Sequence, residues 1–415
     1  MEYPTLLPRF LKYIKINSRS DEHATRFPST EREVDFQKVV MQDLVDLGLS
    51  DVHYNEKAGA VIAEIPATTT TTVPVIGFLA HCDTADFNSE NIRPQITKNY
   101  DGQSKIQLGD SDFYLDPAVF PHLRDYQGQT IISASGDTLL GGDDKCGVSE
   151  LVTLAEYLLA HHEIKHGRIR LAFTPDEEIG TGASHFDVPD FGAAFAFTVD
   201  GEKPGKLDWG TFSAAQFELS IQGVDVHPAV AVAKGQMVSA LKIARDFQNS
   251  LPAQEVPEQT SGREGFFHLL HLSGTVDHAE LEYIIRDFER DGLEARKQLV
   301  RDIVDQLNAD LGTPRISLKI YDQYYNMADE LKQHLEIVDL ARAAYRDLGL
   351  EINEDPVRGG TDGSQLTYMG LPCPNLFAGE ENMHGRYEYT VLESMYLAVD
   401  VLVRTVSRLA EAPIK

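Results

Sequence analysis

Two different orders of strand-like and helix-like segments share this chain, and the switch between them constrains the fold more than any other feature. In the first half, residues 31–47 place Val34, Val39, Val40, Leu44 and Leu47 on an approximate helical stripe. Residues 60–65 and 73–80 are short apolar runs of strand length. Residues 147–159 read as a helix, 168–173 as a buried strand and 195–199 as another. Alternation of this kind predicts an α/β layer with a largely parallel sheet flanked by helices. The order changes near Thr211. A strand at 212–222, a helix at 237–251, strands at 266–276 and 282–288, a helix at 293–311 and a strand at 316–325 follow one another. That is β-α-β-β-α-β, a ferredoxin-like unit. The first pattern then resumes with a helix at 331–348, a strand at 374–377 and a helix at 392–409. The prediction is a discontinuous mixed α/β domain, 1–210 and 326–415, carrying an inserted domain at 211–325. The threonine tract 68–72, after Pro66, reads as a hairpin connection. The polar stretch 86–126 reads as an excursion between strands.

Charge narrows the function. The 415 residues carry 37 Lys plus Arg against 65 Asp plus Glu, a formal net charge of −28. Such a field repels phosphate backbones and anionic membranes, so neither nucleic acid nor a membrane surface is an expected partner. It tolerates metal ions and free amines. No run approaches the ~18 apolar residues of a membrane span. Residues 1–16 carry charges throughout and lack a signal-peptide core. Three cysteines, Cys82, Cys146 and Cys373, are too few for a disulfide framework, and a cytoplasmic, reducing location is expected.

Metal-ligand residue types stand at the C-terminal ends of the predicted strands, where an open α/β sheet places its active site. His81 and Asp83 follow the strand 73–80 and, two residues apart, share a face. A carboxylate beside a ligating imidazole can fix its tautomer. Gly141-Gly142-Asp143-Asp144-Lys145 precedes a helix and reads either as a carboxylate facing a cation or as an Asp-rich helix cap. Asp176-Glu177-Glu178 ends the strand 168–173, Asp200 ends the strand 195–199, and His384 follows the strand 374–377. Adjacent carboxylates repel one another unless something positive compensates. Imidazole and carboxylate donors without cysteine suit zinc or manganese in a hydrolytic site. The five donors His81, Asp143, Glu178, Asp200 and His384 exceed what one catalytic zinc with an open position uses, but they fit two zincs sharing a bridging carboxylate.

The chain resembles the peptidase T family of tripeptide aminopeptidases, within the larger group of di-zinc aminopeptidases, carboxypeptidases and deacylases. The resemblance spans essentially the whole length. It is carried by His81-Cys-Asp83-Thr, Gly142-Asp143-Asp144-Lys145, Thr174-Pro-Asp-Glu177-Glu178-Ile-Gly180, Thr198-Val-Asp200-Gly, Val226-His227-Pro228, Tyr283-Ile-Ile-Arg286, Arg358-Gly-Gly-Thr361-Asp362-Gly363, Gly370-Leu-Pro-Cys-Pro374 and Met383-His384-Gly385. It implies a zinc-peptidase catalytic domain with a lid domain, and two Zn2+ per subunit. His81 and Asp200 would bind one zinc, Glu178 and His384 the other, and Asp143 would bridge them. Asp83 would orient His81, and Glu177 would be the general base toward a zinc-bridged water. Arg286 and Arg358 would hold the substrate's terminal carboxylate, since guanidinium matches carboxylate geometry, although either could instead be a surface ion pair. His227 would stabilise the oxyanion. The substrate would be a short peptide with a free N-terminus, chiefly a tripeptide, and the protein a possible homodimer. A dipeptidase or an N-deacylase of the same fold is the alternative.

The chain departs from that pattern in three places. The run from His227 to Lys234 is longer than the family's turn. Glu202-Lys203 follows Asp200 where small residues are commoner. Glu380-Glu381 precedes His384, where two extra carboxylates would either favour a substrate amine or face solvent. His162-Glu163-Ile164-Lys165-His166 spells a zinc-protease motif, but Gly167 and a strand follow at once, so it reads as a fraying helix end. Cys82 points away from His81 and reads as packing. Cys146, at a helix N-terminus, is a place where a thiol pKa tends to fall, with oxidant sensitivity as the consequence.

Overall fold

Apolar strand segments of the kind read above pair into a seven-stranded sheet. Its spatial order is β1 (Ser50–Asn55), β2 (Ala60–Ile65), β8 (Ile169–Thr174), β3 (Ile76–His81), β9 (Phe195–Gly201), β15 (Asn375–Phe377) and β10 (Leu207–Asp208). The four central strands β8, β3, β9 and β15 are parallel, and antiparallel strands close both edges. The computed structural model describes residues 1–231 and 237–414. It divides into two compact units, one of residues 1–209, 329–354 and 361–415, the other of residues 210–328 and 355–360. Of the run from His227 to Lys234, residues 232–234 lie outside the described residues. No helix among the described residues is long and apolar enough to cross a membrane.

In the larger unit, α1 (Leu6–Tyr13), α2 (Glu31–Asp46), α3 (Gly142–Ala160), α6 (Leu335–Asp347), α7 (Asp362–Tyr368) and α8 (Leu392–Glu411) belong with the sheet. Helix α3 is buried on every side along most of its length, which is why its apolar residues show no clean stripe. It packs on β3 and β9 and against α1 and α8. Gly147 permits that approach: a methyl there would sit 2.0 Å from the Val199 carbonyl oxygen. Helix α2 begins with the capping box Thr30-x-x-Glu33.

Two expectations need correction here. The threonine tract is not a hairpin connection, because β2 and β3 are not paired: β8 lies between them. The tract instead crosses over, with Thr68 N donating to the His166 carbonyl just ahead of β8 (3.0 Å). The stretch 86–126 is more than an excursion. It supplies β4 (Gln95–Thr97) to a second sheet with β7 (Ile131–Ser133), β16 (Glu380–Glu381) and β17 (Tyr389–Val391), and also holds the two-residue pair β5 (Ile106–Gln107) and β6 (Tyr114–Leu115). Strands of two or three residues are too short to show a period.

The smaller unit is a four-stranded antiparallel sheet in the order β12 (Phe266–Gly274), β13 (His278–Asp287), β11 (Ser213–Gln222) and β14 (Ile316–Tyr324), with α4 (Ala240–Ser250) and α5 (Arg290–Asp310). Burial alternates along β13, and α4 buries Ala240, Ile243, Ala244 and Phe247, the i, i+3, i+4, i+7 set of one helix face. Phe247, Phe217 and Tyr283 meet at the centre, the last two stacked at 4.9 Å. Each such ring contributes about 1.5–3 kcal/mol through burial.

Candidate metal centre

Parallel neighbours in a sheet end at the same edge, and here that edge carries the chemistry. His81 is the last residue of β3, Glu177 and Glu178 lie just beyond β8, and Asp200 stands at the end of β9. Asp143 begins α3 in an irregular first turn, with φ −73° and ψ 104°. His384 lies between β16 and β17 in a left-handed conformation, φ 66°. Asp176 is also left-handed, φ 57°, and so turns the chain immediately before the two glutamates.

These side chains converge. His81 Nε2 is 2.9 Å from Asp143 Oδ1 and 3.4 Å from Asp200 Oδ1. The other oxygen of Asp143, Oδ2, is 3.0 Å from His384 Nε2, which also lies 3.1 Å from Glu178 Oε2. Asp143 thus stands between two imidazoles that are far apart in the chain. Ligand atoms of His81, Asp143 and Glu178, of His81, Asp144 and Asp200, and of Asp143, Asp200 and Glu380 lie within 4.8 Å of one another in each set.

A layer of polar groups behind them fixes their positions. Asp83 Oδ1 is 3.3 Å from His81 Nδ1, and the Asp83 carboxylate also accepts from Glu177 N (3.0 Å) and Glu178 N (3.1 Å). Asp144 accepts from His81 N (3.0 Å) and from Gly147 N (2.9 Å), the second being a helix-capping bond. Of the two adjacent aspartates, then, Asp144 caps the helix while Asp143 faces the histidines. Glu33 closes the capping box of α2 and accepts from Asp176 N (3.0 Å), so the helix start holds the loop of Glu177. Burial, then Asp83 and Asp176, push Glu33 up to about 8. Glu388 accepts from four successive backbone N–H groups, Leu140, Gly141, Gly142 and Asp143, at 2.6–3.1 Å. Asn375 accepts from Asp200 N (3.2 Å) and donates to Asp200 O (3.1 Å). Sequence reasoning missed Glu33, Asn375 and Glu388, and read Glu380 as facing a substrate amine or solvent. The one signal available was a lone acid between apolar neighbours, as in Tyr387-Glu388-Tyr389.

The electrostatics call for added positive charge. Burial opposes the charged form of His81, but the Asp200 charge and the carboxylates of Asp143, Asp200 and Asp83 outweigh it and hold the imidazole well above its ordinary value. Burial likewise opposes the Asp143 carboxylate, yet the two imidazoles bring it well below the usual range. Glu177 and Asp144 are pushed far up by burial and then by Asp200; Glu178 and Glu380 by burial and then by Asp143. So many buried carboxylates exist as anions only beside strong positive charge. Glu178 Oε1 and both oxygens of Glu380 have no hydrogen-bond partner among the described residues. The donors are imidazole nitrogen and carboxylate oxygen, a set that fits divalent cations.

His227, Arg286 and Arg358 belong to the smaller unit. His227 is exposed and caps a short turn, its Nδ1 accepting from Ala229 N (3.2 Å). Arg286 donates to Gln323 Oε1 (2.9 Å) and lies 5.4 Å over the Tyr324 ring. Arg358 donates to Gly262 O and Thr260 Oγ1, both at 2.8 Å, and lies over the Phe212 and Phe266 rings. Neither arginine has a carboxylate partner among the described residues, so the surface ion-pair reading does not describe them. Glu380 and Glu381 do not face solvent, being 1% and 8% exposed. Glu381 accepts from Tyr126 and lies beside His122 (3.5 Å), on the wall of a cavity of about 680 Å3 that His384 and Lys203 also line. Cys146 also needs correction: it is fully buried, and burial followed by Glu150 pushes its thiol up rather than down. Cys82 is packed in the core. His162 lies beyond the end of α3 at Ala160 and is exposed, while His166 is buried, its Nδ1 donating to Gly167 O (2.8 Å).

Comparison with known proteins shows the family and the fold. A family model described as peptidase family M20/M25/M40 matches residues 141–408. A peptidase T of Lactobacillus helveticus is 73% identical over 412 residues, covering 99% of both chains. Among solved structures, an aminopeptidase from Bacillus cereus superposes with a TM-score of 0.79 at 21% identity, covering 99% of each chain. A Bacillus subtilis protein described as a dinuclear metal binding peptidase from the M20 family superposes with a TM-score of 0.67 at 16% identity, covering 99% of this chain and 98% of that one.

Proposed function

The chain belongs to peptidase family M20/M25/M40 as one of its peptidase T members, a metal-dependent hydrolase, and from that premise we propose that it releases the N-terminal residue of short peptides, chiefly tripeptides, with two zinc ions. The observation that carries this reading is Asp143, with His81 on one oxygen at 2.9 Å and His384 on the other at 3.0 Å. A carboxylate so placed suits a bridge. His81 and Asp200 would hold one ion, Glu178 and His384 the other. The ions, when bound, supply Lewis acidity and lower the pKa of water toward ~7.

The chain's own residues supply the rest. Glu177 neighbours the ligands, and Asp83 holds its backbone N–H (3.0 Å). Burial raises its proton affinity, which suits a group that takes a proton from water and returns it to the leaving amine. Asp83 keeps His81 oriented through Nδ1. Arg358 and Arg286, without ion-pair partners among the described residues, are assigned the substrate's terminal carboxylate, and His227 the developing oxyanion. The cavity beside His384 is assigned the first residue of the substrate, with Glu381 on its wall.

The test is a panel of a dipeptide, a tripeptide, a tetrapeptide and an N-acetylated tripeptide, with metal analysis of the same preparation. Preferential release of the first residue from the free tripeptide, with about two zincs per chain, is expected. Faster cleavage of the acetylated form would replace this reading with a deacylase.

A further inference from the structure

Glu380 has no task in the reading above. Strand β16 pairs with β17 so that Glu380 lies opposite Thr390 and Glu381 opposite Tyr389. Successive strand residues face opposite sides. Glu381 accordingly goes to Tyr126 and His122, and Glu380 goes to the metal centre. Glu380 is 1% exposed, and neither of its oxygens receives a hydrogen bond from an N–H or hydroxyl group among the described residues. Its polar company is the Asp144 carboxyl and the charges of Asp143 and Asp200. One of its oxygens lies within 4.8 Å of oxygens of Asp143 and Asp200. A buried carboxyl group with no donor, surrounded by acids, is costly unless a cation joins it.

We propose that Glu380 is a further metal ligand, on the side of the ion held by His81 and Asp200, and that it raises this position's affinity for a harder cation such as Mn2+ more than its affinity for Zn2+. The proposal rests on the dinuclear reading. With Glu380 included, that position has one imidazole and the three carboxylates of Asp143, Asp200 and Glu380. The other has one imidazole and the two carboxylates of Asp143 and Glu178. Carboxylate suits manganese and magnesium, and imidazole suits zinc, so the added carboxylate helps Mn2+ more than Zn2+.

The test is metal binding to chelator-stripped protein, with Mn2+ followed by electron paramagnetic resonance and Zn2+ by competition with an indicator dye. Wild type is expected to take two Mn2+ per chain. In Glu380→Gln one of the two Mn2+ steps should weaken by about 10–100-fold, and Zn2+ at the same position by less, while Glu380→Asp retains most of the Mn2+ affinity. Unchanged Mn2+ steps in Glu380→Gln would mean that Glu380 merely shares a proton with Asp144, and would overturn the proposal while leaving the dinuclear reading in place. Equal weakening of both metals would overturn the larger gain for Mn2+. A wild type taking fewer than two ions would overturn the dinuclear reading itself, and this proposal with it. Should Glu380→Gln fail to fold, a crystal structure of Mn2+-loaded wild type decides: a Glu380 oxygen within about 2.0–2.3 Å of an ion supports the proposal, and one beyond contact overturns it.

Discussion

The candidate functional side chains of the two units are held in opposite ways. In the larger unit, the acids at the sheet edge are buried, crowd one another and are pinned from behind by further acids. Asp83 alone accepts from two backbone N–H groups and stands 3.3 Å from one imidazole nitrogen. In the smaller unit, Arg286 and Arg358 are held by neutral oxygens and aromatic faces, with no carboxylate partner among the described residues. The first arrangement suits a group that must hold its geometry around a cation. The second suits a group whose partner arrives from solution. Substitutions should therefore separate into those that change metal content or rate and those that change substrate affinity.

The largest effect is expected within the larger unit, between Glu177 and Glu178, which are adjacent and chemically identical. Glu177→Gln keeps size and hydrogen bonding but cannot accept a proton. It should retain its metal and lose ~10²–10⁴-fold in kcat, about 3–5 kcal/mol of barrier, with little change in KM. Glu178→Gln should weaken one metal instead and regain activity in excess metal. Metal stoichiometry and steady-state kinetics in one buffer check both. Metal loss from Glu177→Gln with retention in Glu178→Gln would exchange the two roles.

The next effect belongs to the smaller unit. Arg358→Ala should raise KM for a tripeptide by the equivalent of ~2–5 kcal/mol and for its C-terminal amide far less. An arginine that meets the terminal carboxylate loses nothing when that carboxylate is absent. Equal losses on the two substrates would assign Arg358 to packing between Phe212 and Phe266.

A smaller loss should come from Glu388, which touches no substrate. In Glu388→Gln, an NH2 group faces some of the N–H groups of residues 140–143, and each one left unsatisfied costs about 1–3 kcal/mol. The thermal midpoint should fall, and metal affinity with it, because these N–H groups set the position of Asp143. A lowered midpoint with unchanged metal affinity would confine Glu388 to stability.

What the sequence revealed follows from the same contrast. His81, Asp83, Asp143, Glu177, Glu178, Asp200 and His384 were legible because each follows a strand or starts a helix, and strand ends meet in a parallel sheet. The β-α-β-β-α-β order was legible because its strands are nine or ten residues long and its helices eleven or more. Glu388 was not, since its four partners lie 245–248 residues away and no local pattern encodes them. Nor was Glu380 as a neighbour of the metal cluster: two glutamates in a row read as facing a substrate amine or solvent, and only the pairing of β16 with β17 sends them to opposite sides. Cys146 misled because a helix N-terminus lowers a thiol pKa only where burial does not act more strongly.

The smallest effect tests whether spelling or geometry decides a metal site. His162 and His166 carry the spacing of a helical zinc motif, which requires both rings on one face of a continuous helix. Here α3 stops at Ala160, and His161 has φ −120° and ψ 64°. His162 is exposed, so His162→Ala should stay within ±0.5 kcal/mol in stability and keep its metal and its rate. His166 is buried. Its backbone N–H donates to Thr68 Oγ1, which ties down the crossover between β2 and β3, and its ring donates to Gly167 O. His166→Ala should therefore lose about 1 kcal/mol of stability without losing metal, whereas His81→Ala should lose most of its metal and activity. Thermal melts and metal analysis of the three variants are sufficient. Metal loss from His162→Ala, with retention in His81→Ala, would place the metal at the end of α3 and leave the cluster at the sheet edge without its function.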